Sequence, residues 1–171
     1  SQITLRTLRR NRFDEEMEIL RDIFNDAWSD NWGFVPFTRE EFAELGSSLR
    51  LLLPDDYIQI AEVNGEPAAF MVALPNLNEV LVELNGSLFP FGWLKMINRI
   101  RKHQIRTGRI PLMGVRKQFR NTPLGLALAC LVIDAPRKVA IARGVKEVEM
   151  SWILEDNAAM RGILDSIGSQ Q

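Results

Sequence analysis

Apolar residues recur every three or four positions at Phe13, Met17, Leu20, Ile23 and Ala27, a spacing that predicts an amphipathic helix ending near Trp28. Ahead of it, Ile3-Thr4-Leu5-Arg6 alternates as a short edge strand does. Asp30-Asn31-Trp32-Gly33 breaks the helix. Thr38 three residues before Glu41 is a capping-box signature, so a second helix is expected from about Arg39 to Leu45, stopped by Gly46. Tyr57–Val63 and Pro67–Ala73 flank Asn64-Gly65, two residues that tolerate positive φ, and together they predict an antiparallel hairpin.

Residues 76–109 read as a helical insertion. Two helical pieces, Glu79–Leu84 and Gly92–Lys102, are separated by Gly86 and the turn at Pro90, and Trp93, Met96, Ile97 and Ile100 give the second an apolar stripe. Ile110–Val115 is a short apolar strand, followed by a loop and a long helix from Pro123 to Ala142. Inside that helix, Asp134-Ala135-Pro136 predicts a kink or a restart with Asp134 as the new cap, because proline removes a backbone donor and crowds the preceding turn. Beyond Gly144, Val148, Met150 and Trp152 alternate with Glu147, Glu149 and Ser151, as in a strand with one buried face. Asp156 or Asn157 then caps a final helix that runs to about Ile167 and stops at Gly168. Strands and helices in this order make a single α/β domain.

The length of 171 residues allows one domain with a full core, and 46% hydrophobic with 25% charged residues is a globular composition. The one cysteine, Cys130, and the one histidine, His103, leave no cysteine-rich metal site and no metal cofactor to expect. Cys130 lies in an apolar helix and reads as a core thiol, and His103 as a surface residue of a basic helix. No apolar run is long enough to span a membrane, and Ser1-Gln2-Ile3 is unlike a signal peptide, so a cytoplasmic location and no membrane partner are expected. The net charge of −1 conceals an uneven distribution. Between Leu84 and Ile133 there is no Asp or Glu, against nine basic residues: Lys95, Arg99, Arg101, Lys102, Arg106, Arg109, Arg116, Lys117 and Arg120. Such segregation suits a phosphate-bearing ligand, or else it is a solvated face balanced by acids elsewhere in the fold.

The stretch richest in chemistry is Leu112–Leu128, where a strand passes through a loop into a helix N-terminus. Unpaired N–H groups and the positive end of the helix dipole point there at an anion, with Arg116, Lys117 and Arg120 close by. Arg120-Asn121-Thr122-Pro123-Leu124-Gly125 resembles the Arg/Gln-x-x-Gly-x-Gly/Ala loop of the GNAT superfamily of acyl-CoA N-acyltransferases. Glu147–Ile153 resembles that family's fifth strand, Asn157 its helix-opening asparagine, and Ile167-Gly168 its helix end.

The resemblance implies a mixed, mostly antiparallel sheet with helices on both faces and splayed fourth and fifth strands. It implies acetyl-CoA or another acyl-CoA as co-substrate. Backbone groups of Met113, Gly114 and Val115 would pair with the pantetheine arm; Arg120, Asn121, Thr122, Leu124, Gly125 and Leu126 would hold the pyrophosphate; and Asn157 would bond the arm from the far side. The acceptor implied is a small-molecule or peptide amine, with Glu149 and Ser151 as the candidate catalytic pair. A subgroup of uncharacterised, larger GNAT-like bacterial proteins shares the insertion and the run Ser151-Trp152-Ile153-Leu154-Glu155-Asp156-Asn157.

Three departures support the alternative of a catalytically degenerate GNAT-fold binding or structural module. Pro123 replaces the first glycine and has no N–H. Leu164 stands where many members place a tyrosine, the only tyrosine here being Tyr57. The closing strands are absent, which makes the chain a fragment or leaves a homodimer partner to complete the sheet. A third reading is an anion-surface binder using residues 95–120, with nucleic acid disfavoured because no reader motif accompanies the charge. Glu155 and Asp156 read as dipole-complementing acids, and Trp28, Trp32, Phe34 and Phe37 as pocket lining or as core.

Overall fold

The computed structural model describes residues 2–85, 89–102, 104–150, 161–162, 164–165 and 168–169. Five strands, β1 (Ile3–Thr7), β2 (Ile58–Val63), β3 (Glu66–Pro75), β4 (Thr107–Val115) and β5 (Glu147–Met150), form one sheet in sequence order. The pairs from β1 to β4 are antiparallel, and β4–β5 is parallel. Five helices are named in the same way: α1 (Phe13–Trp28), α2 (Arg39–Leu52), α3 (Asn78–Glu83), α4 (Gly92–Arg101) and α5 (Pro123–Ala142).

Alternation along the strands builds two cores. Ile58, Ile60, Phe70 and Val72 face α1 and α2, where Leu20 and Ile23 are fully buried. Ala61, Val63, Ala69 and Met71 face the other way, against Leu128, Ala129, Val132 and Ile133 of α5. Each fully buried aliphatic side chain contributes about 2 kcal/mol, so this two-sided cover holds the sheet. The expected hairpin is present, with Asn64 and Gly65 at φ +53° and +86°.

Gly46 does not stop the second helix, which continues to Leu52. A Cβ at Gly46 would lie 2.9 Å from the Met17 side chain, so the residue lets α2 cross close over α1. α5 likewise runs unbroken through Pro136, which is buried. Asp134 caps no new helix; its carboxylate pairs with Lys138 at 2.6 Å and with Arg137 at 3.4 Å. At its far end the Arg143 guanidinium binds Asp56 and lies 5.5 Å from the Tyr57 ring centroid, which pins the segment after the proline.

β4 begins at Thr107, three residues before the predicted Ile110, because the insertion closes at its base. Asn76 N donates to Thr107 O at 2.9 Å, and the Glu79 carboxylate accepts from Arg106 N at 3.1 Å and Thr107 N at 2.6 Å. Burial raises the Glu79 pKa, but the hydrogen bonds from Thr107 and Arg106 outweigh it and leave the carboxyl below its usual 4.5. A depressed folded pKa means that this stabilisation is complete above 4.5 and is lost as pH falls through the lower folded value. Glu79→Gln is therefore expected to lower the melting temperature at neutral pH by a few degrees. The difference from wild type should vanish in acid, as a melting series in pH would show.

Val148 and Met150 share the apolar side of β5, yet Val148 stays exposed and Met150 is half-buried, so the expected buried face is only partly covered. Arg161, Gly162, Leu164 and Asp165 are helical, and Gly168 at φ +75° follows with its N–H on Asp165 O at 3.1 Å. The expectations placed on Gly86, His103, Ser151, Trp152, Glu155, Asp156, Asn157 and Ile167 fall outside the described residues.

Candidate cofactor cleft and its loop

Among the described residues β4 and β5 pair in register from Thr107↔Glu147 to Ile110↔Met150, and β4 continues through Pro111–Val115. Arg116 N donates to Ala68 O at 2.9 Å, and Gly114 stands opposite Phe70. Strand alternation therefore turns the backbone groups of Gly114 towards β3 and those of Met113 and Val115 towards the β5 side. On that side the Met113 carbonyl accepts from Trp28 Nε1 at 2.9 Å. Gly114 lets α1 approach the strand: a Cβ there would lie 3.2 Å from Phe70 and 3.3 Å from Ala27.

After Val115 the chain makes a short 3-10 turn, Lys117–Phe119, and Asn121 takes φ +58°. Thr122 caps α5 in extended conformation: its hydroxyl accepts from Gly125 N at 3.0 Å and donates to Phe119 O at 2.7 Å. Pro123 occupies the first helical position, where its missing N–H removes only one of the donors that a helix start leaves unpaired. Gly125 is required by space: a Cβ there would meet Phe119 O at 2.0 Å. Of the loop amides, Leu126 N is bonded to Thr122 O and Arg120 N to Lys117 O. Those of Gln118, Asn121 and Leu124 have no hydrogen-bond partner among the described residues. Leu124 N–H, in the first turn of α5, is the open donor that the helix dipole reinforces.

The loop's basic side chains are tied to α1. Asp22, Asp26 and Asp30 stand four residues apart and meet this loop in order. Arg116 Nη2 binds Asp22 at 2.7 Å, Lys117 N donates to Asp26 at 2.8 Å, and Lys117 Nζ binds Asp30 at 2.5 Å. Arg120 reaches Asp30 at 3.1 Å and also donates to Ala27 O. The hydrogen bond from Lys117, with its charge and that of Arg120, holds the Asp30 carboxyl below its ordinary range. This part of the basic segment is thus balanced by acids of the fold. No sequence pattern joined the two, since the pairs lie about ninety residues apart.

Glu149 sits beside Arg109 across the parallel rung, and its Oε2 accepts from Arg109 Nε at 3.1 Å and Nη2 at 2.8 Å. Oε1 has no partner among the described residues. Ser151 and Asn157, the other polar candidates, lie outside those residues, and Leu164 is buried. Of the aromatic group, Trp28, Phe34 and Phe37 pack with Phe24 into the core, whereas Trp32 is 96% exposed. Cys130 is a half-buried free thiol. No cluster of metal-ligating side chains occurs among the described residues, nor any helix long and apolar enough to cross a membrane.

No family model matches the chain. Protein YghO of Escherichia coli K12 is 50% identical over 169 residues, covering 99% of this chain and 43% of that protein. Bacterial ceramide synthase of Caulobacter vibrioides is 41% identical over 168 residues, 98% of this chain and 44% of that protein. The chain thus spans less than half the length of these curated relatives. Among solved structures, an N-acetyltransferase of Staphylococcus aureus Mu50 superposes with TM-score 0.60 at 17% identity, covering 98% of this chain and 82% of that one. The diaminobutyrate acetyltransferase of Paenibacillus lautus, in complex with L-2,4-diaminobutyric acid and coenzyme A, does so with TM-score 0.54 at 14% identity, covering 98% and 75%. Strand order, the parallel β4–β5 pair reached through α5, and these superpositions establish that the chain has the fold of the GNAT N-acyltransferases.

Proposed function

We propose that this chain binds an acyl-CoA and transfers its acyl group to an amine, and that the acceptor is a long-chain amino alcohol. The observation that carries the cofactor assignment is the open Leu124 amide at the start of α5, beside those of Asn121 and Gln118, in an acetyltransferase fold. Arg120, Asn121, Thr122, Leu124, Gly125 and Leu126 form the diphosphate seat, with contact made by open amides rather than side-chain charge. Met113 and Val115 offer backbone groups to the pantetheine arm, and Gly114 supports them from the β3 side. Ser151 and Asn157 complete the proposed site.

Supporting the acceptor is the 41% identical relative named a ceramide synthase. A ceramide is an N-acyl amide of a long-chain amino alcohol, so its formation is the N-acyl transfer that this fold supports. In the proposed reaction the amine nitrogen attacks the thioester carbon, the C–S bond breaks, and coenzyme A leaves with a proton. The free Oε1 of Glu149 takes the proton shed by the attacking nitrogen, directly or through water, and that proton passes on to the leaving thiolate, while Arg109 fixes the carboxylate. Thiol release from acetyl-CoA and from a long-chain acyl-CoA, each with a sphingoid base and with short amines, tests this. Turnover with the long-chain amine supports the reading, and turnover with short amines alone overturns the acceptor.

The tying of Lys117 and Arg120 to Asp30, and of the Met113 carbonyl to Trp28, favours the second reading, a binding module without catalysis. The two differ in thiol release. On the first reading, Asp30→Asn frees two cations beside the seat, and coenzyme A affinity is expected to rise by roughly threefold to tenfold while the melting temperature stays close to that of wild type. Titration calorimetry and a thermal melt would check both values.

A further inference from the structure

We infer that the helical insertion docks this chain on an anionic lipid bilayer, through an apolar tip formed by Phe89, Phe91, Trp93 and Leu94 and a cationic flank formed by Arg101, Lys102 and Arg106. Phe89 is 85% exposed, Phe91 71%, Leu94 47% and Trp93 44%. Six consecutive residues therefore hold four large apolar side chains in solvent, an arrangement that a free aqueous surface does not reward. The small core of the insertion is formed by Val80, Ile100 and Ile105 with Leu77, Leu84 and Met96.

Helix geometry sorts the rest of α4. Met96 and Ile100 point into that core, while Leu94 and Arg101 share one outward flank, and Lys95 and Lys102 another, at seven-residue spacing. Lys95 and Arg99 are bonded to Glu83. Arg101, Lys102 and Arg106 are exposed and make no ion pair with any described residue. An apolar tip rich in aromatics at the start of a short helix, with cations at and beyond its end, is the chemistry of an interfacial membrane contact. A nucleic acid would satisfy the cations but leave Leu94 and the phenylalanines without a comparable partner. The inference is independent of the acyl-transfer reading, because none of these residues belongs to the loop or strands assigned to coenzyme A.

Co-sedimentation with vesicles tests it. Phosphatidylcholine vesicles and vesicles containing phosphatidylglycerol are compared at low and high salt, using the full chain, Phe89→Ser with Phe91→Ser and Leu94→Ser, and Arg101→Glu with Lys102→Glu. All the substituted positions are exposed, so both variants should melt like wild type and bind coenzyme A equally well. Wild type is expected to partition onto the phosphatidylglycerol vesicles, with each variant weakened by about tenfold or more. Absence of sedimentation, equal sedimentation of the variants, or retention on nucleic acid with none on vesicles overturns the proposal. Loss of coenzyme A binding in wild type would count against the acyl-transfer reading alone.

Discussion

Gly125→Ala is expected to destabilise the chain by about 3 kcal/mol and to abolish coenzyme A binding, because the new methyl group would sit 2.0 Å from the Phe119 carbonyl oxygen. That oxygen is fixed from two sides, by Thr122 N at 3.3 Å and the Thr122 hydroxyl at 2.7 Å. Neither the turn nor the first turn of α5 can yield without breaking the cap that orients the open amides. The glycine's φ is unexceptional, so backbone strain plays no part; the constraint is a close approach of chain to helix. Thermal melting and calorimetric titration of the variant measure the two effects. Thr122→Ala should reproduce the binding loss more weakly, at about 1 kcal/mol of stability, since it removes the cap without adding bulk.

Arg6→Ala should cost about 3 kcal/mol of folding free energy. Arg6 joins β1 to α1 through Glu16, at 2.5 Å, and to Glu62 on β2, also at 2.5 Å. Glu16 is buried, and removing the guanidinium would leave its carboxylate with only the Arg9 amide at 3.4 Å. The cost therefore arises from a stranded charge more than from a lost attraction. A double replacement, Arg6→Met with Glu16→Met, is expected to recover part of the loss, because Glu16 is no longer stranded while Glu62 keeps only Arg9 at 4.0 Å and the Thr4 hydroxyl at 3.4 Å. Urea melts of the single and double variants separate the two causes. An Arg6→Ala loss below about 0.5 kcal/mol would place the pair among ordinary surface contacts.

Periodicity disclosed most of the fold because its elements are locally encoded. The α1 stripe, the Thr38–Glu41 cap and the Asn64-Gly65 turn all act within a few residues of their own sequence. Gly46 misled because a helical glycine reads as a terminator until the neighbouring Met17 is known to occupy the space above it. The strand–loop–helix from β4 to α5 was equally legible, since its cap and glycine are contiguous. What stayed hidden was the far partner. Asp22 and Asp26 on α1, and Asp30 just beyond its end, are unremarkable acids until the fold brings Arg116, Lys117 and Arg120 beside them. The local charge count therefore exaggerated the positive potential of the loop, and the proposed anion seat relies on backbone amides instead.

The most direct measurement is the thermal shift produced by coenzyme A compared with pantetheine, which carries the same arm without the diphosphate. The amide seat predicts a rise in melting temperature with coenzyme A that grows with ligand excess, and little or none with pantetheine. Equal shifts from the two, or no shift with coenzyme A at millimolar concentration, would contradict it.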